Sequence, residues 1–223
     1  MNLIEYPDRD MLMLSLADRI AGQLAATLRT AGKATLSVPG GTTPGPVFDL
    51  LSEVDLDWAH VAVVLNDERW VPETHARSNT RLLRQHLLRG HAGVAQLVPL
   101  YAEAATPEER LEALAAGIVP YLPISVLLLG MGADMHTASL FPGADRLAEA
   151  LSPEAPVLMA LRADAAGEPR ITLTAPVLQD AMHTHVLITG VEKRAAIERA
   201  ASLRPDQAPI RLVLGHATIH WAE

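Results

Sequence analysis

Two residues in this chain carry the types and spacing that acid–base chemistry needs: Asp134 and His136, separated by a single methionine. An imidazole can take up and release a proton near neutral pH, and a nearby carboxylate can orient it and favour its charged form. Their surroundings fit that use. The run Val126 to Leu129 is apolar and short, as expected of a strand buried on both faces. It breaks on Gly130 and Gly132, where the backbone can turn sharply and come close to a ligand. Thr137 and Ser139 follow with hydroxyls. In an open parallel sheet, ligands bind beyond the carboxyl ends of the strands, which is where this stretch falls.

Other segments could complete a site. Gly40-Gly41-Thr42-Thr43 lies between an expected strand and an expected helix, so its amides and the helix dipole could hold an anion. It lacks the Gly-Lys-[Ser/Thr] ending of a nucleotide-binding P-loop. Gly130-Met-Gly132 falls short of a dinucleotide fingerprint, because Met135 stands where the third glycine belongs. Asp67-Glu68-Arg69 follows an apolar run and brings three charges to a strand end, as a solvated loop or as part of a cleft. Arg170 and Lys193 are isolated cations, and Lys193 falls in the first turn of an expected helix, where a cation opposes the dipole unless an anion compensates. His183 with His185 and His216 with His220 lack a third ligand at useful spacing, so no metal site is expected. Ser139 has no nucleophile elbow around it.

The elements that must position these residues follow from periodicity. Leu12, Leu16, Ile20, Leu24 and Leu28 form one stripe of a helix from Asp8 to about Thr30, with Asp8 as its cap and Gly32 after its end. Strands are expected at Lys33 to Val38, His60 to Leu65, Ala95 to Tyr101, Val157 to Leu161, Arg170 to Thr174, His185 to Thr189 and Ala217 to Trp221, besides Val126 to Leu129. Helices are expected at Pro46 to Ser52, after Ser78, after the capping box Thr106-Pro-Glu-Glu109, at Pro176 to Ala181 and at Glu192 to Ser202. Alternating strands and helices predict an α/β fold with a mostly parallel open sheet, Rossmann-like, covered by helices on both faces. No repeat or linker divides the chain, so residues 1–223 are expected to form one domain.

Composition narrows the function classes. At 49% hydrophobic and 20% charged, the chain is globular rather than disordered. A net charge of −8 argues against nucleic acid as a partner and requires cations to be gathered locally if the ligand is an anion. With no cysteine, no secretory signal and no membrane-length apolar run, a cytoplasmic location without membrane association is expected.

Five segments in order, Pro39-Gly-Gly-Thr-Thr-Pro44, Asn66-Asp-Glu-Arg-Trp-Val-Pro72 with Ser78-Asn79, Leu129 to Pro142, Arg170-Ile-Thr-Leu-Thr174 and Ile188-Thr-Gly-Val-Glu-Lys193, resemble the 6-phosphogluconolactonase family over nearly the whole chain. The resemblance implies hydrolysis of 6-phospho-D-glucono-1,5-lactone to 6-phospho-D-gluconate in the oxidative pentose phosphate pathway, with a phosphorylated sugar lactone as the small-molecule partner. It implies His136 as general base, with Asp134 orienting it. Backbone N–H groups of the glycine turn, or Arg69, would stabilise the oxyanion. Asp67 and Gly132 would lie in the substrate site. Gly40, Gly41 and Thr42 with Arg170 and Lys193 would hold the phosphate. No metal or organic cofactor is implied. The family usually has glycine where Met135 stands, so a positive φ there would strain the methionine. Pro39 likewise replaces a small hydroxyl residue. The alternatives are a glucosamine-6-phosphate deaminase, whose expected acid is missing from Ser139-Leu-Phe-Pro142, and a non-catalytic sugar-phosphate-binding regulator.

Overall fold

The structure, a computed structural model, describes residues 1–223. Seven strands form a wholly parallel sheet: β1 (Asn2–Glu5), β2 (Ala34–Val38), β3 (Val61–Leu65), β5 (Gln96–Val98), β6 (Val126–Gly130), β9 (His183–Thr189) and β10 (Thr218–Ala222). Their order is β1-β10-β9-β6-β2-β3-β5. The central strands are buried on both faces, which is why they read as unbroken apolar runs rather than as alternations. The helices are α1 (Arg9–Ala31), α2 (Gly45–Ser52), α3 (Asn79–His86), α4 (Leu111–Ile118), α5 (Leu147–Ala150), α6 (Ala175–Gln179) and α7 (Val191–Ala200). The expected α/β class with a mostly parallel sheet is the class observed.

Helix α1 starts and stops where its chemistry dictates. The Asp8 side chain accepts from Met11 N–H at 2.7 Å, and Gly32 closes the helix with φ 71°. Its apolar stripe packs on β2, β6 and β10 and against α2. The capping box at Thr106 is present, with Thr106 N–H donating to Glu109 Oε1 at 3.0 Å. It opens a 3-10 turn, Pro107–Glu109, and only then does α4 begin.

Three features differ from expectation. Val157 to Leu161 and Arg170 to Thr174 do not join the main sheet. They become β7 (Leu158–Leu161) and β8 (Arg170–Leu173) of a separate three-stranded antiparallel sheet with β8 at its centre. Its third strand, β4 (Asp67–Arg69), comes from the segment read as a solvated loop or part of a cleft, where no strand was expected. The edge strand β1 was not expected; parallel pairing of Leu3 with Ile219 brings it to β10.

The histidines group across the expected pairs. Gln23 Oε1 can only accept, so His185 Nε2 donates to it at 2.8 Å and leaves Nδ1 as an acceptor. His220 Nε2 donates to that atom at 3.0 Å, and Tyr6 Oη donates to His220 Nδ1 at 2.8 Å. With both imidazoles neutral, each donor in this relay meets an acceptor. Burial, the largest cause, pushes His185 down to about 4 and His220 down to about 3, against an ordinary 6.5. Since the unfolded chain protonates first, this relay stabilises the fold fully above about pH 6.5 and loses its contribution as pH falls through those lower values. Urea midpoints should therefore drop between pH 7 and pH 4. An NMR titration in which His185 or His220 takes up a proton near its ordinary value would contradict this.

Candidate active site

The chain runs outward from β2 through β3 to β5 on one side, then returns to β6 and proceeds through β9 to β10 on the other. The strand order therefore reverses between β2 and β6, and a crevice opens beyond their carboxyl ends. Four neighbouring strands deliver the expected segments to it: β2 leads to Gly40, β3 to Asp67, β6 to Gly132 and His136, and β9 to Lys193. Asn66, fully buried, ties this end together. Its amide donates to the Leu128 carbonyl at 2.7 Å, and its Oδ1 accepts from the Ser37 hydroxyl at 2.6 Å. A cleft of about 320 Å³ results, within the range of small-molecule sites.

His136 lines this cleft, with Asp134 beside it. His136 Nδ1 lies 2.5 Å from Asp134 Oδ1. Hydrogen bonding to His136 is the largest cause holding the Asp134 carboxyl below its usual range, against some desolvation. The carboxylate is therefore ionised at neutral pH and accepts from Nδ1–H. Nε2 has no protein partner, and in the neutral imidazole it carries the lone pair. The turn between them is tight: Met135 N–H donates to the Gly132 carbonyl at 3.0 Å, and Gly132 N–H donates to the His136 carbonyl at 3.1 Å. A Cβ at Gly132 would fall 2.3 Å from the imidazole and 2.4 Å from Asp134 Oδ1, so only glycine fits there. Gly132 thus serves the cleft through its bare Cα. Its N–H is already bonded, which removes it from the expected oxyanion donors. Met135 has φ 66°, the left-handed region, and Ile210 N–H holds its carbonyl at 3.1 Å. Strain of this kind costs on the order of 1–3 kcal/mol.

The small antiparallel sheet supplies the charges. Arg69 pairs directly with Arg170, and Asp67 with Thr172. Side chains alternate along a strand, so Asp67, Arg69, Arg170 and Thr172 share one face. Two like charges directly opposite are unfavourable without an anion between or beside them. Arg170 is buried and only partly answered: its Nη2 donates to the Ala166 carbonyl at 2.9 Å, its Nη1 lies 3.7 Å from Asp67 Oδ2, and its Nε has no partner. Burial, the largest cause, pushes its pKa down, and the Asp67 carboxylate opposes that. Arg69 donates to the Arg77 carbonyl at 2.5 Å and also keeps an unpartnered buried Nε. Lys193 lines the cleft without an ion-pair partner, its pKa lowered chiefly by burial.

Glu68, on the opposite face, leaves the cleft. It is fully buried and accepts from Asn79 N–H at 2.8 Å, Thr80 N–H at 2.7 Å and Thr80 Oγ1 at 2.8 Å, fastening the start of α3. Only two of the three expected cleft charges therefore reach it. Ser139 is also withdrawn: its hydroxyl donates to Asp67 Oδ2 at 2.5 Å, and the residue is fully buried. Gly40 and Gly41 line the cleft, whereas Thr42 is exposed outside it and Thr43 takes the place expected of Thr42. Asn79 and Phe141 line the cleft as well, and neither stood out as a site residue in the sequence. The Asn79 amide donates to the Asp67 carbonyl at 3.0 Å and lies 2.0 Å from where a Gly40 Cβ would be. Adjacency across the fold defines its place, so the sequence carried no signal beyond Ser78-Asn79.

A family model described as glucosamine-6-phosphate isomerases/6-phosphogluconolactonase matches residues 7–221. A 6-phosphogluconolactonase from Rhizobium meliloti (strain 1021) is 43% identical, over 100% of this chain and 98% of its own length. One from Pseudomonas aeruginosa is 42% identical, over 92% of this chain and 88% of its own length. Among solved structures, a 6-phosphogluconolactonase from Shewanella baltica superposes with a TM-score of 0.96 at 32% identity, covering 100% of this chain and 98% of that one. A monomeric glucosamine-6-phosphate deaminase reaches a TM-score of 0.82 at 15% identity, covering 100% of this chain and 98% of that one, a likeness of fold alone.

Proposed function

The chain belongs to the glucosamine-6-phosphate isomerase/6-phosphogluconolactonase family, and we propose that it hydrolyses 6-phospho-D-glucono-1,5-lactone to 6-phospho-D-gluconate. The observation that carries this reading is one cleft that joins His136, hydrogen-bonded to the ionised Asp134, to three cations, Arg69, Arg170 and Lys193. The full-length relatives named 6-phosphogluconolactonase support the same substrate.

In the proposed reaction a water lies between His136 Nε2 and the lactone carbonyl. Nε2 takes a proton as the water oxygen bonds to C1, and Asp134 stabilises the imidazolium that forms. The carbonyl π electrons move onto oxygen, and Arg69 faces that developing charge. Collapse of the tetrahedral adduct breaks the bond from C1 to the ring oxygen. The imidazolium returns its proton to that oxygen, which leaves a hydroxyl and a carboxylic acid that ionises. The phosphate sits against the Gly40-Gly41 loop with Arg170 and Lys193, so an acidic chain binds an anion through local charge. A lactone is an activated ester, so this route requires no metal or organic cofactor.

The phosphate assignment has its own test. Lys193→Ala should raise KM for the phosphorylated lactone by roughly 10- to 100-fold, the range of a hydrogen bond to a charged group, and leave the unphosphorylated lactone nearly unaffected. Arg170→Ala should act in the same direction. Equal losses on both substrates would remove these residues from phosphate recognition.

A further inference from the structure

Phe141 follows His136 by five residues, and from its sequence it reads as ordinary core. It is largely buried, yet it lines the cleft. Its ring centroid lies 4.2 Å from that of His136 with the planes 30° apart, a stacked pair. The Arg170 guanidinium carbon lies 5.7 Å from the same centroid. One ring thus touches both the base and a cation assigned to the phosphate.

We propose that Phe141 is a positioning residue for the hydrolysis: its ring fixes the plane of the His136 imidazole, so that Nε2 is held in line with the attacking water. The inference rests on His136 being the general base.

A single hydrogen bond from Nδ1 to Asp134 fixes one atom of the imidazole and leaves the ring free to tilt. The terminal torsion of histidine is broad and does not by itself restrain that tilt. Nε2, across the ring from Nδ1, swings furthest when it occurs. Gly132 sits against the Cε1 and Nδ1 edge, and Phe141 covers a face. Of these contacts, only the flat one opposes rotation out of plane. The same face favours the imidazolium once the proton has moved, because an aromatic ring attracts a cation placed over it.

Arg170 depends on Phe141 far less. The Ala166 carbonyl and the Asp67 carboxylate hold its guanidinium independently of the ring. Loss of the ring should therefore appear in turnover rather than in binding of the phosphorylated substrate.

The test compares Phe141→Leu, which keeps the bulk and loses the flat face, with Phe141→Tyr, which keeps the face. His136→Ala is measured beside them. Phe141→Leu should lower kcat about tenfold, the upper end of what an aromatic pair contributes, with KM changed less than about twofold and the unfolding midpoint near that of the parent. Phe141→Tyr should retain most of the lost turnover. Unchanged kcat in Phe141→Leu, a change confined to KM, or a Phe141→Tyr variant as slow as Phe141→Leu would each overturn the proposal. Should Phe141→Leu fail to fold, Phe141→Met carries the same comparison, since its unbranched chain refits an irregular space. Failure of the underlying reading looks different: His136→Ala would then turn over normally, whatever the Phe141 variants do.

Discussion

His136→Ala should lower kcat by about 10²- to 10⁴-fold, the usual worth of a positioned general base, while KM for the lactone and the unfolding midpoint stay close to those of the parent. The direction follows from the geometry. Asp134 is ionised and accepts from Nδ1–H, so the only unengaged ring nitrogen is Nε2. No other free base in the cleft is placed for this role: Asp67 is bonded to Ser139 and faces Arg170, and Lys193 is assigned to the phosphate. The imidazole also contributes little to folding, because it sits at the cleft surface and its main-chain bonds survive the substitution. Steady-state kinetics corrected for spontaneous hydrolysis of the lactone measure the effect. Turnover within about tenfold of the parent would remove His136 from the mechanism.

Gly132→Ala should be almost as damaging, by a different route. A Cβ at this position meets the imidazole at 2.3 Å and the Asp134 carboxylate at 2.4 Å. Such a separation is impossible, so either the Asp134–His136 contact opens or the turn shifts. Misplacing a reacting group by about 1 Å can cost about 10²-fold in rate, and overpacking of this kind costs roughly 1–3 kcal/mol in stability. Gly41 provides the contrast. It has φ 83° and open space where its Cβ would be, so alanine there suffers backbone strain without touching the acid–base pair. Kinetics of the two variants side by side, with their urea midpoints, separate displacement of the catalytic pair from strain alone. A Gly132→Ala enzyme with normal kcat would show that the pair is not held as described.

Most of the frame that carries these residues can be read from the chain. Repeats of four residues, Asp8 and Gly32 define α1, and apolar runs mark the central strands because burial on both faces forbids polar positions. Strand ends then locate the chemistry, which is why Gly40, Asp67, Gly132, His136 and Lys193 fall around one cleft. The positive φ at Met135 was signalled only through the resemblance, in which glycine usually stands at that position.

The remainder depends on register and on contacts between distant segments. Strand β4 has three residues, all charged, so no apolar alternation betrays it. Only its pairing with β8 places Arg69 opposite Arg170 and sends Glu68 to the other face. The direction of a loop decides whether Thr42 or Thr43 reaches the cleft, and one residue of spacing carries no information about that. Phe141 reads as core because its partners, an imidazole and a guanidinium, come from a turn and from a separate sheet.

The most direct measurement is hydrolysis of 6-phospho-D-glucono-1,5-lactone by the purified protein, corrected for the spontaneous reaction and run beside ammonia release from glucosamine 6-phosphate. The lactone should open far faster than its background rate, with no ammonia released. Ammonia release, or a lactone rate no faster than background, would contradict the account.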